Sequence, residues 1–115
     1  MNFFRRLFRS QQHANTNIIR LNPDEFKKAI SKNSGRLLDV RTKKEFDTGS
    51  IPGAINQNLI HRNSFLKAVL PWSKSEHVFL YCQSGIRSMK AARLLSRNGF
   101  TKIYELKAGI SNYDL

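Results

Sequence analysis

From Asn17 onward, short β-prone apolar runs alternate with segments of helical spacing. Asn17–Leu21 reads as a short strand. Asn22-Pro23-Asp24-Glu25 then starts a helix, with Asn22 as N-cap, Pro23 at the first helical position and Glu25 closing a capping box. Phe26, Ala29 and Ile30 give that helix its buried face, and Asn33-Ser34-Gly35 stops it. Arg36–Val40 is a second strand. Thr42-Lys43-Lys44-Glu45 is another capping box, opening a brief helix that Gly49 ends. Ile51-Pro52-Gly53 has turn chemistry, with proline at the second position and glycine at the third, and Ala54-Ile55-Asn56 is a very short strand.

Residues 57–76 carry less pattern. Phe65, Leu66, Val69 and Leu70 have helical spacing, and Pro71 closes the run. His77–Tyr81 is a continuous apolar strand. Ile86–Arg97 is a helix with Met89, Ala92 and Leu95 as its expected core stripe and Lys90, Arg93 and Arg97 pointing away. Asn98-Gly99-Phe100 is a helix stop, Thr101–Leu106 a final strand, and the chain closes in a turn ending at Tyr113. This alternation predicts one α/β domain of three layers, with a mainly parallel central sheet flanked by helices.

The length of 115 residues fits one domain, and no run approaches the ~20 apolar residues of a membrane-spanning helix. A single cysteine excludes an internal disulfide, and a thiol that must stay reduced suits the cytosol. The net charge of +12 predicts attraction to anions. The basic residues are spread along the chain and are not interleaved with stacking aromatics, so nucleic acid is not an expected partner. His13 and His61 have no partners at metal-ligand spacing, so no metal is expected. Residues 1–16 stand apart: Phe4, Leu7 and Phe8 share a helical face among arginines, with no acid before Asp24. This basic amphipathic extension reads either as a membrane-surface anchor through residues 1–9 or as a locally docked terminus.

The candidate chemistry lies in Cys82-Gln83-Ser84-Gly85-Ile86-Arg87-Ser88, directly after the His77–Tyr81 strand and leading into a helix. By default a lone cysteine closing a strand is a small buried hydrophobe. Here a glycine-containing loop, an arginine five positions on and a helix amino terminus follow it. Ligand sites in open α/β sheets lie at such strand ends. Backbone N–H groups and the helix dipole would converge there on an anion and favour a nucleophilic thiolate.

This stretch resembles the active-site loop of the rhodanese family of sulfurtransferases. Leu38-Asp39-Val40-Arg41 with Glu45, then Ile51-Pro52-Gly53-Ala54-Ile55-Asn56, resembles the family's amino-terminal signature in the expected order. The resemblance spans about residues 17–113. It departs at Ser50, where the family often has histidine, and at Ala108 and Tyr113, where Gly-Gly and tryptophan are frequent.

The resemblance implies a single-domain, rhodanese-like sulfurtransferase, with Cys82 as the nucleophile that carries a persulfide and Arg87 as the second catalytic residue. The N–H groups of Gln83, Ser84, Gly85, Ile86, Arg87 and Ser88 would hold the donor and the persulfide. Arg87 either acts on substrate or braces the loop. Asp39, Arg41 and Glu45 are read as a supporting ionic network that orients loops near the site. The expected substrates are small sulfur-containing anions such as thiosulfate, with a donor or acceptor protein as a further partner, no cofactor, a monomeric state and a cytoplasmic location. Two alternatives stay open. One is a persulfide relay or binding module acting with a partner. The other is a phosphatase related in fold, whose corresponding loop is one residue longer.

Overall fold

The structure, a computed structural model, describes residues 17–115. The basic segment over residues 1–16 lies outside the described residues. Five strands form one sheet: β1 (Ile18–Leu21), β2 (Gly35–Asp39), β3 (Ile55–Asn56), β4 (His77–Tyr81) and β5 (Lys102–Leu106). Their order is β1-β5-β4-β2-β3, and every pairing is parallel. Four α-helices flank it: α1 (Pro23–Lys32), α2 (Lys43–Thr48), α3 (Arg62–Val69) and α4 (Ile86–Arg97). A 3-10 turn, Ile110–Asn112, ends the fold.

A parallel sheet is covered on both faces, so its inner strands are apolar throughout. β4 sits between β5 and β2 and divides its side chains by parity. Val78 and Leu80, with Cys82 beyond them, enter a core with Phe65, Val69, Ala91, Ala92, Leu94 and Leu95 of α3 and α4. Phe79 and Tyr81 enter the opposite core, with Phe26 of α1, Leu106 and Ile110. Phe26 meets Phe79 edge-on at 6.1 Å between ring centres, an arrangement that aromatic quadrupoles favour.

Local sequence signals place the helix ends. Asn22 accepts from the Glu25 N–H, and the Glu25 carboxylate accepts from the Asn22 N–H, each at 2.9 Å. Thr42 and Glu45 repeat this box at the start of α2. At the end of α4 the N–H of Gly99 donates to Ser96 and that of Phe100 to Leu95, with Gly99 at φ 96°. That pair of bonds is a Schellman motif. Gly53, at φ 87°, forms the turn after Pro52, closed by the Ala54 N–H on the Ile51 carbonyl at 3.1 Å.

Two expectations shift. The strand expected over residues 36–40 runs over Gly35–Asp39, because Gly35 lets β2 approach β4: a Cβ there would lie 2.3 Å from the His77 carbonyl oxygen. The buried stripe of α4 is Ser88, Ala91, Ala92, Leu94, Leu95 and Ser96, with Met89 at its edge. Ala92 and Leu95 of the expected stripe are thus buried as read, and the stripe is wider than expected because the helix also buries Ser88, Ala91, Leu94 and Ser96. Trp72 packs against the α3–α4 core, with the Arg36 guanidinium 4.9 Å from its ring centre.

Candidate active site

The register of the sheet brings three strand ends together. Asp39 of β2 pairs with Tyr81 of β4, and Leu80 of β4 pairs with Glu105 of β5. Cys82 follows Tyr81 directly, so its backbone lies between the ends of β2 and β5 and its side chain joins the core on the α3–α4 side. It is fully buried, with 0% exposure. The Gly85 N–H donates to Cys82 Sγ at 3.0 Å. Gly85 has φ 99° and is the residue before α4, a conformation that glycine adopts without steric cost. A Cβ there would also sit 3.1 Å from the Arg20 guanidinium.

Ser88 is the second group on the sulfur, its Oγ lying 3.3 Å from Sγ. The Ser88 hydroxyl donates to Oε2 of Glu105. A hydroxyl has one proton, so the Ser88 oxygen faces Sγ as an acceptor and the thiol proton points at it. Glu105 is fully buried, and its other oxygen accepts from Arg20 Nε at 2.7 Å. The Arg20 side chain is 43% exposed. A continuous chain of hydrogen bonds thus runs from Cys82 through Ser88 and Glu105 to Arg20 at the surface.

The other residues singled out in the sequence surround this center as braces. Arg87 makes a two-pronged pair with Glu45, at 2.7 and 2.9 Å. The Arg87 hydrogen bond holds the Glu45 carboxyl at about 2. Burial opposes that shift, and the Thr42 N–H and hydroxyl add to it. The same pair raises the Arg87 pKa. Arg41 and Asp39 form a buried pair with Nη2 and Oδ2 at 2.7 Å. The remaining donors of Arg41 reach the Gly49 carbonyl at 2.7 Å and the Gln83 side-chain oxygen at 3.0 Å. Arg41 therefore ties the end of β2 to the loop after β4. The Gln83, Ser84 and Ile86 side chains are exposed, and Ile86 is 66% so despite being apolar.

A last support comes from beyond β5. Gly109, at φ 71°, lies so close to the loop that a Cβ would sit 2.3 Å from the Gln83 carbonyl oxygen. The Ile110 N–H donates to the Cys82 carbonyl at 2.9 Å and the Ser111 N–H to that of Gln83 at 3.3 Å. Ala108 beside it has φ 63°, the one positive φ outside glycine among the described residues. No group of metal-ligating side chains occurs among the described residues.

A family model described as Rhodanese-like domain matches residues 22–115. The chain belongs to the rhodanese-like domain family. Uncharacterized protein YqhL of Bacillus subtilis is 38% identical over 96 residues, covering 81% of this chain and 70% of its own length. A tRNA uridine(34) hydroxylase of Pelagibacter ubique is 30% identical over 93 residues, covering 81% of this chain and 31% of the relative. The chain thus spans about a third of the length of that larger relative. Among solved structures, a rhodanese-like domain protein of Staphylococcus aureus superposes with a TM-score of 0.71 at 25% identity, covering 84% of this chain and 91% of that one. The α/β fold with its parallel sheet, expected from the sequence, is that of these rhodanese-like neighbours.

Three residues around the rhodanese-like loop were not singled out from the sequence: Glu105, Arg20 and Gly109. For Glu105 a signal existed. It sits inside Ile103-Tyr104-Glu105-Leu106, and a carboxylate within an apolar run of a sheet covered on both faces must find a buried partner.

Proposed function

We propose that the protein is a sulfurtransferase that carries a sulfane sulfur on Cys82. The observation that supports this reading best is the buried Sγ at the end of β4, held by the Gly85 N–H and faced by the Ser88 hydroxyl. The thiol proton passes to the Ser88 oxygen while the Ser88 proton passes to Glu105, leaving a thiolate that accepts from Ser88 and Gly85. The thiolate attacks the outer sulfur of thiosulfate. A sulfur–sulfur bond forms to Cys82, and the bond to the inner sulfur breaks with its electron pair leaving on sulfite. A thiophilic acceptor then takes the outer sulfur and returns the Cys82 thiolate. The charge is balanced at each step without an external oxidant or reductant.

In this reading Arg87 braces the loop, because both of its terminal nitrogens are engaged by Glu45. The same engagement weighs against phosphoryl transfer, which needs a free guanidinium fork on the phosphate. The loop also counts six residues from Cys82 to Arg87, a tighter ring than the related phosphatases use. The donor in this reading is a small sulfur-containing anion and the acceptor a thiol. The test is thiocyanate formation from thiosulfate and cyanide by wild type and by Cys82→Ser. Turnover that disappears in the variant supports the reading, and turnover that persists overturns it.

A further inference from the structure

Beside the cradle, Arg62 of α3 and Arg87, Lys90, Arg93 and Arg97 of α4 line one cleft of about 600 Å³. No carboxylate lines it. Among the described residues, Arg87 is the one member of the five with an ion-pair partner, namely Glu45. The other four are exposed. Like charges at helical spacing repel and destabilise a helix, so this grouping is unfavourable for the free protein and is relieved by an anion. Its lining is partly apolar, with Leu94 from α4 and Leu59 and Ile60 from the segment before α3.

The geometry sets the size and shape of that anion. At ~1.5 Å rise per residue, the cations extend about 15 Å along α4 from Arg87 to Arg97. Arg87, five positions after Cys82, lines the cleft, so that end of it adjoins the loop that holds the cysteine. Its volume falls in the range of small-molecule pockets, which favours a small ligand over the flat face of a partner protein. Clustered guanidinium groups match phosphate oxygens with paired hydrogen bonds.

We propose that this cleft binds the phosphorylated tail of a low-molecular-weight persulfide donor, with the phosphate roughly 5–15 Å beyond Arg87 along α4. The inference rests on the sulfurtransferase reading and deepens it by naming the substrate class. The tail would hold the donor while the Cys82 thiolate bonds to its outer sulfur. The donor's own sulfur–sulfur bond then breaks, and the donor leaves as a thiolate.

The probes are pantetheine and pantetheine 4′-phosphate, which share an arm and a thiol and differ by one phosphate. Calorimetric titration of each thiol into the full-length protein reads binding without any turnover. The expected result is roughly 10–100-fold tighter binding of the phosphorylated thiol at low salt, a preference that collapses in about 0.5 M salt. The same preference is lost in Arg93→Glu/Arg97→Glu and reduced in Arg93→Gln/Arg97→Gln, a second pair that keeps the inference testable if charge reversal disturbs folding. Equal binding of the two thiols, or a preference unchanged in both double variants, overturns the inference. Because neither titration depends on sulfur transfer, failure here is distinct from failure of the thiocyanate assay.

Discussion

Gly109→Ala should displace the loop that follows Cys82, and the structure sets the size of the effect. The new Cβ would lie 2.3 Å from the Gln83 carbonyl oxygen, 2.4 Å from its carbonyl carbon and 2.6 Å from the Ser84 nitrogen. Carbon–oxygen contacts settle near 3.3 Å or beyond, so the two backbones must part by about 1 Å. The Ile110–Cys82 and Ser111–Gln83 hydrogen bonds, at 2.9 and 3.3 Å, then stretch to or past breaking. Their loss costs roughly 1–3 kcal/mol. An alanine at φ 71° and ψ −169°, a region essentially restricted to glycine, adds about 1–3 kcal/mol. The expected destabilisation is therefore about 2–6 kcal/mol, and a shift of Cys82 by about 1 Å should lower sulfur transfer by about 10²-fold. Ala108→Gly is the matched control one residue earlier. It relieves a positive φ without adding an atom and should stabilise by about 0.5–1 kcal/mol with turnover intact. Urea unfolding and thiocyanate formation read both variants. A Gly109→Ala protein with wild-type stability and wild-type turnover would refute the reasoning.

Glu105→Gln keeps the shape of the buried network and removes its proton acceptor. It should lower the sulfur-loading rate at neutral pH and shift the rate profile toward higher pH, where hydroxide can take the thiol proton. A loss of rate with an unmoved profile would leave Glu105 as packing alone. Glu45→Gln breaks the pair with Arg87. The folded carboxyl at about 2 lies below its ordinary value of 4.5, so this pair's contribution is full above pH ~4.5 and fades as pH falls through ~2. The side chains are 36% and 32% exposed, which screens the pair, and the variant should lose about 1–2 kcal/mol at pH 7. That difference from wild type should shrink steadily on acidification in urea unfolding, and a difference constant with pH would contradict it. Hydrolysis of para-nitrophenyl phosphate should be absent, and efficient Cys82-dependent hydrolysis would defeat the loop-size argument.

What could be read in advance was what neighbouring residues decide. The two capping boxes, the Pro52-Gly53 turn and the Gly99 stop are each complete within a few residues, and the structure has them where the sequence puts them. The strand-loop-helix around Cys82 is local in the same sense. What could not be read depends on parallel register. Glu105 and Ser88 are 17 positions apart, and their meeting requires α4 to lie over β5 with Ser88 turned inward. Lys90, Arg93 and Arg97 looked like an ordinary solvated helix face among basic residues spread along the chain. Folding brings Arg62 from α3 beside them and turns that face into a cleft. Gly109 gave no hint of its role, because its neighbour across the gap is the backbone of Gln83.

The account stands on Cys82 carrying the transferred sulfur, and intact-mass measurement after incubation with thiosulfate, without any acceptor, tests that directly. The wild-type protein should gain the mass of one sulfur atom, lose it on addition of cyanide, and show no gain as Cys82→Ser. No added sulfur on a folded wild-type protein across a series of sulfane donors, or the same gain in the variant, would contradict it.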